Sequence, residues 1–165
     1  MDAWCDSGWR YVAEVLAPAD LPMLAAHALV AGHDSPALRE LAGLPRRSDE
    51  SEIRAVYVAA MDELGLPLPD EVTAGRRLLV SLAWALVRGE RSAVDVGDGL
   101  GWTVEADTEE ESRFLSTAAE YSEWMGPERL PSWARELEAA ARALCAVSEY
   151  RGGHTGCGAA ARAGT

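Results

Sequence analysis

The sequence predicts an all-α fold, organised as a single-domain bundle of about six helices. Alanine and leucine supply much of the apolar content and favour helices, whereas phenylalanine and isoleucine, which favour strands, occur once each. Apolar residues also recur with the 3.6-residue period of a helix along most of the chain. With 165 residues, the chain can bury a core without metals or disulfides. We expect a helical domain over residues 1–150 and a flexible Gly/Ala-rich tail over 151–165.

The stretch PDEVTAGRRLLVSLAWALVRGE predicts the central apolar helix of this bundle, over residues 70–88. Asp70 and Glu71 stand at its start and Arg88 at its end, as the helix dipole favours. Gly89 is suited to ending the helix in the left-handed conformation. The second half of the stretch is apolar apart from one serine, so we expect other helices to cover several of its sides.

The other helices are predicted from the same period and from residues that start or stop a helix. Ser35 followed by Pro36 is a favoured helix start, and Thr108 with Glu111 has the spacing of a capping box. Gly65 is a suitable stop for the helix before it. The predicted segments are 7–16, 19–31, 36–43, 49–64, 108–125 and a last helix that begins near Pro131.

Residues 91–106 give a mixed signal. Val94 and Val96 alternate before the glycine-rich stretch 97–99, and apolar residues alternate again after it. Alternation on both sides of a Gly/Asp turn is typical of a hairpin. Because a lone hairpin is marginally stable in a helical protein, we expect either a short hairpin or a loop here, with one short helix as the alternative.

The formal net charge is −12, and all 15 basic residues are arginines. This acidity disfavours nucleic acids and anionic membranes as partners, because both require a basic surface. It favours a basic partner protein, although acidity can also serve solubility alone. The N-terminus lacks the apolar region of a signal peptide, and the three cysteines share no metal-ligand spacing, so we expect a cytoplasmic protein with reduced thiols.

The strongest charge feature is the segment 105–128, which holds eight acidic residues against a single arginine. A helix N-terminus explains part of this cluster. The remainder predicts an acidic helical face, with Glu120 and Glu123 on one helix turn and an aromatic anchor beside them. The alternatives are a solvated acidic face and a tryptophan that belongs to the core. The candidate partner-binding residues are Glu109, Glu110, Glu120, Glu123 and Trp124.

Motifs of catalysis are absent from the sequence. There is no nucleophile motif and no phosphate-binding loop, and Asp34 after His33 is better interpreted as part of a helix cap than as a metal ligand. We therefore expect no catalytic residue, no cofactor and no metal site. The alternative is a small-molecule-binding or enzymatic helical domain with a pocket near Trp84 or Trp102, and a structural subunit is a third class.

Four stretches together resemble small uncharacterised all-helical proteins of actinobacteria. They are HDSPALRELAGL, ESEIRAVYVAAMDELG, RRLLVSLAWALVRGE and AAEYSEW, and the likeness covers about residues 32–146. Some small acidic helical proteins of that kind look like immunity proteins of secreted or contact-dependent toxins. The resemblance implies a helical fold and an immunity role. Together with the acidic face, it leads us to expect a non-catalytic immunity or adaptor protein that docks a basic partner.

Overall fold

All regular secondary structure in the described part of the chain is helical, which confirms the predicted all-α class. The computed structural model describes residues 3–45, 47–100 and 104–151, with side chains to Ser148. A 3₁₀ turn, Pro18–Asp20, precedes the second α-helix. The α-helices are α1 (Ser7–Val12), α2 (Leu21–Val30), α3 (Pro36–Gly43), α4 (Glu50–Glu63), α5 (Glu71–Val87), α6 (Ala93–Gly99), α7 (Glu109–Ala119) and α8 (Leu130–Arg151).

The chain divides into two compact units, Met1–Ala74 and Gly75–Thr165. Each unit has its own apolar core. In the first, Trp4 and Tyr57 pack with leucines of α2 and α3, and in the second, Phe114 and Trp133 pack with leucines of α5 and α8. The predicted central helix at 70–88 is observed as α5, and most of its length supplies the core of the second unit.

Several predicted helix ends are present as expected. The Ser35 hydroxyl accepts a hydrogen bond from the N–H of Leu38 at 3.1 Å and so caps α3. Gly65 and Gly89 follow α4 and α5 with φ of +68° and +69°, a conformation that side chains with a Cβ rarely adopt. Each of these residues acts on the helix end next to it, so the sequence alone predicts the effect.

The hairpin prediction for 91–106 is wrong for the described part of that segment, and the alternative of one short helix is confirmed, because residues 93–99 form helix α6. Ser92 and Asp95 make a reciprocal capping box: each side chain accepts the backbone N–H of the other residue at 3.1 Å. This pair starts a helix where alternating valines had favoured a strand. Trp102 and its neighbours at 101–103 lie outside the described residues, as does the predicted tail beyond Arg151.

Burial of Tyr57 should make the first unit less stable as pH rises in the alkaline range. Its side chain is 0% exposed, and its hydroxyl lies 2.8 Å from the Ser7 Oγ, which itself donates to the Trp4 carbonyl. Burial raises the pKa of Tyr57 from its ordinary value of 10.0 to about 12. Folding therefore favours the protonated phenol, and this contribution is complete below pH 10 and lost as pH rises through the folded-state pKa.

We expect Tyr57→Phe to lower the free energy of unfolding by about 1 kcal/mol at pH 8, because one buried hydrogen bond is lost. The difference from wild type should shrink as pH rises from 10 towards 12. Urea denaturation followed by circular dichroism at each pH measures it. A difference that stays constant to pH 12 would contradict the assignment of the shift to Tyr57.

Candidate functional site

The five candidate partner-binding residues lie at the two ends of α7. Glu109 and Glu110 are in the first turn of the helix, whereas Glu120, Glu123 and Trp124 follow its last residue, Ala119. The helix has 11 residues, so its ends are separated by about 16 Å at a rise of about 1.5 Å per residue. The structure therefore divides the predicted acidic face into two separate groups.

The first group adjoins a buried carboxylate that has a structural role. Glu111 is 4% exposed, and its carboxylate accepts the backbone N–H groups of Asp107 and Thr108 at 2.9 and 3.2 Å. Arg76, on α5, donates to the same carboxylate at 3.0 Å. The predicted capping box of Thr108 and Glu111 is confirmed, and it is extended by an arginine that lies 35 residues away in sequence.

The electrostatics of this carboxylate favour its ionised form. Burial alone would raise the pKa of Glu111, but the N–H of Asp107, the guanidinium of Arg76 and the N–H of Thr108 outweigh burial and lower it. Glu111 is thus engaged inside the unit, whereas exposed Glu109 and half-buried Glu110 reach solvent at this end of α7. Glu105 and Asp107, just before the helix, are exposed as well, and Asp107 pairs with Arg76 at 3.2 Å.

The second group lies in the α7–α8 loop, residues 120–129, and not on a helix as predicted. Helix α7 ends at Ala119, so Glu120 and Glu123 do not share a helix turn. The ring of Tyr121 packs against the ring of Trp133 on α8, with 5.1 Å between centroids. The Trp133 Nε1–H donates to the Thr117 carbonyl at 2.7 Å, which satisfies a carbonyl of the last helical turn. These contacts turn the chain away from the helix axis.

Close packing on α6 also anchors the start of this loop. A Cβ added at Gly97 would lie 2.8 Å from the Cβ of Tyr121, so only glycine allows this approach. Further along, the N–H of Trp124 donates to the Ser122 hydroxyl at 3.2 Å, and the N–H of Met125 donates to the Ser122 carbonyl at 2.8 Å. The loop is thus a compact turn held to α6 and α8 by one tyrosine.

The most exposed aromatic side chain at this loop is Trp124, at 88% of its maximum. Acidic residues lie on both sides of it in the sequence: Glu123 precedes it, and the carboxylate of Glu128 folds back so closely on Gly126 that a Cβ there would clash with it. Glu120 is engaged by Arg129 in an exposed ion pair of 2.8 Å. We call Glu120, Glu123, Trp124 and Glu128 the loop surface.

The sequence predicts, as the alternative, a pocket near Trp84, and an arginine lies over this ring. Trp84 is half-buried, and the guanidinium of its own helix neighbour Arg88 lies 5.7 Å from the ring centroid. A cleft of about 330 Å³ lies in the first unit, and His27 is the one ionisable residue among the described residues that line it. The lining residues are Ala3, Trp4, Leu24, His27, Ala28 and Ala31. A single ionisable group in this described lining does not amount to the several converging polar groups that are typical of a catalytic site.

Within residues 3–45, 47–100 and 104–151, no group of three or more histidine, cysteine, aspartate or glutamate side chains is arranged to hold a metal ion. None of the helices among the described residues combines the length and apolar character needed to cross a membrane.

Comparison of the chain with protein-family models, curated proteins and solved structures gave no match to any of the three.

Proposed function

We propose that this protein is a non-catalytic binding protein that docks a basic partner protein through the loop surface. The single observation that carries the proposal is the 88% exposure of Trp124 among carboxylates on an anchored loop. Tryptophan is the residue type most enriched at the energetic centres of interfaces, and an exposed indole gains free energy when a partner covers it.

Preorganisation of the loop supports this proposal. Tyr121 fixes one end of the loop against Trp133, and the Ser122 hydrogen bonds fix the turn that carries Trp124. A loop whose backbone is held in place before binding loses less conformational entropy when a partner arrives. The cost of binding is therefore lower than for the same residues on a flexible segment.

Charge supports a basic partner in particular. The chain carries a formal net charge of −12, which attracts a positively charged protein and speeds their encounter. A role as an immunity protein for a basic toxin, or as an adaptor, is the sharpest form of the proposal and follows from the resemblance to acidic helical actinobacterial proteins. The mechanism would be steric: the bound protein covers a functional basic surface of its partner.

The proposal is tested by affinity capture from host extract at low and moderate salt, followed by kinetics with the purified partner. The double substitution Glu120→Gln/Glu123→Gln should slow association about 2- to 10-fold at low salt and flatten its salt dependence, because rim charges act mainly on the association rate. The control is Glu50→Gln/Glu52→Gln, which removes the same charge from exposed positions on α4. Equal slowing by both pairs would reduce the effect to net charge and exclude the loop surface.

A further inference from the structure

We propose that the indole face of Trp124 is a stacking site for an arginine guanidinium of the partner, so that the loop surface selects arginine-bearing over lysine-bearing basic segments. This inference rests on the proposed function and specifies the chemistry of the partner. It follows from two other partly exposed aromatic rings of the chain, Tyr11 and Trp84, and from the acidic residues that neighbour Trp124 in sequence.

Two other aromatic rings at the protein surface are each covered by an arginine of the chain itself. The Arg88 guanidinium carbon lies 5.7 Å from the centroid of the Trp84 ring, and that of Arg54 lies 6.0 Å from the centroid of the Tyr11 ring. Both distances are within the range of a cation–π interaction. No arginine in the described ranges lies over Trp124 in this way, although its ring is the most exposed of the three.

The arginine of the loop itself is engaged elsewhere. The Arg129 Nη2 lies 2.8 Å from the Glu120 Oε2, in an ion pair that leaves the Trp124 face uncovered. Glu120 is therefore already paired, whereas Glu123 and Glu128 are the acidic residues of the loop that form no ion pair among the described residues. A cation from a partner protein would meet an open ring and two carboxylates close to it in the chain.

Arginine fits this arrangement better than lysine does. A guanidinium is planar and weakly hydrated, so it can stack on an indole face while its edge N–H groups donate to carboxylates. A lysine ammonium is compact and strongly hydrated, and it gains less from the ring. The charge complementarity with Glu123 and Glu128 and the open ring therefore select a guanidinium.

The probes for the test are two peptides, N-acetylated and C-amidated hexa-arginine and hexa-lysine, titrated into the full chain at one low ionic strength. Affinity is measured by calorimetry, and the Trp124 signal is followed by fluorine NMR of 5-fluorotryptophan-labelled protein. The variants are Trp124→Leu, which removes the ring, and Trp124→Phe, which keeps a weaker one. Because Trp124 is 88% exposed, neither substitution should disturb folding.

We expect hexa-arginine to bind the wild type about 3- to 10-fold more tightly than hexa-lysine, in line with the strength of a partly desolvated cation–π contact. Trp124→Leu should remove this preference by weakening hexa-arginine alone, and Trp124→Phe should give an intermediate ratio. The Trp124 fluorine resonance should shift with hexa-arginine more than with hexa-lysine.

Equal affinities in the wild type, or a preference that survives in Trp124→Leu, would overturn the inference while leaving a basic partner in place. Failure of both peptides to bind at low salt would overturn it as well. The proposed function fails separately, when association of the captured partner is insensitive to Glu120→Gln/Glu123→Gln relative to the control pair on α4.

Discussion

Trp133→Ala is expected to lower the free energy of unfolding by about 3–5 kcal/mol, the usual cost of removing a fully buried large aromatic side chain. Trp133 is 1% exposed at the centre of the second core. Its truncation would open a cavity between α7 and α8, remove the ring that packs on Tyr121, and leave the Thr117 carbonyl without its indole donor. Urea denaturation followed by far-ultraviolet circular dichroism measures the change.

Trp124→Ala is the matched control, because it removes the same side chain from a position that is 88% exposed. It should change the free energy of unfolding by less than about 0.5 kcal/mol. Trp133→Phe separates the contributions at the buried site: it keeps an aromatic ring and loses the indole donor, so about 1–2 kcal/mol is expected. If Trp133→Ala and Trp124→Ala were equally mild, the second core would not depend on Trp133.

The contrast between these two tryptophans also bears on the loop surface. Trp133 fixes Tyr121, and Tyr121 fixes the start of the turn that presents Trp124. A buried tryptophan thus positions an exposed one nine residues before it. The composition of the chain does not indicate which of the two is buried. The exposure of Trp124 depends on where α7 ends, and the sequence predicted a later end than the one observed at Ala119.

The sequence predicted the elements whose signals are local. The cap at Ser35, the capping box of Thr108 with Glu111, and the glycines that end α4 and α5 each depend on residues within about four positions. Such signals act over a single turn of chain, so they can be read from the sequence without knowledge of the tertiary fold.

The two wrong predictions come from patterns that fit more than one structure. The alternation of Val94 and Val96 before 97–99 is typical of a strand, yet both valines lie on helix α6, which begins with the capping box of Ser92 and Asp95. The helical period of the apolar residues Phe114 and Ala118 continues to Tyr121, which led to the prediction of a longer helix. Tyr121 instead lies in the loop and packs against Trp133 and Gly97. Tertiary contacts decided both cases, and periodicity alone does not contain them.

Part of the candidate site could be found from the sequence and part could not. The acidic cluster and the tryptophan within it can be read from the sequence, which predicts Trp124 and Glu123 as partner-binding residues. The engagement of Glu120 by Arg129, and of Glu111 by Arg76, depends on how helices and loops fold together. Without those pairs, every acidic residue of the segment looks equally available to a partner.

Glu111→Gln should lower the free energy of unfolding by about 2–3 kcal/mol at neutral pH, because a buried charged acceptor is lost and its donors remain. The substituted amide keeps one acceptor oxygen, but its NH₂ group must face either the Arg76 guanidinium or the backbone N–H groups of Asp107 and Thr108. All of these groups are donors, so at least one hydrogen bond is replaced by a donor–donor contact. The partial exposure of Arg76 limits the cost, because water can solvate its released guanidinium.

The same substitution should alter the acid limb of the stability curve. The pKa of Glu111 is lowered in the folded state, so its contribution is present above the unfolded-state pKa of a glutamate, about 4.3, and is lost as pH falls through the folded value. The stability difference between wild type and Glu111→Gln should therefore be complete at pH 7 and shrink towards pH 3. Glu110→Gln, on the same helical turn, is the matched control, because it removes one carboxylate and leaves the hydrogen bonds of Glu111 in place. A difference that is as large at pH 3 as at pH 7 would mean that Glu111 stabilises α7 by its shape rather than by its charge.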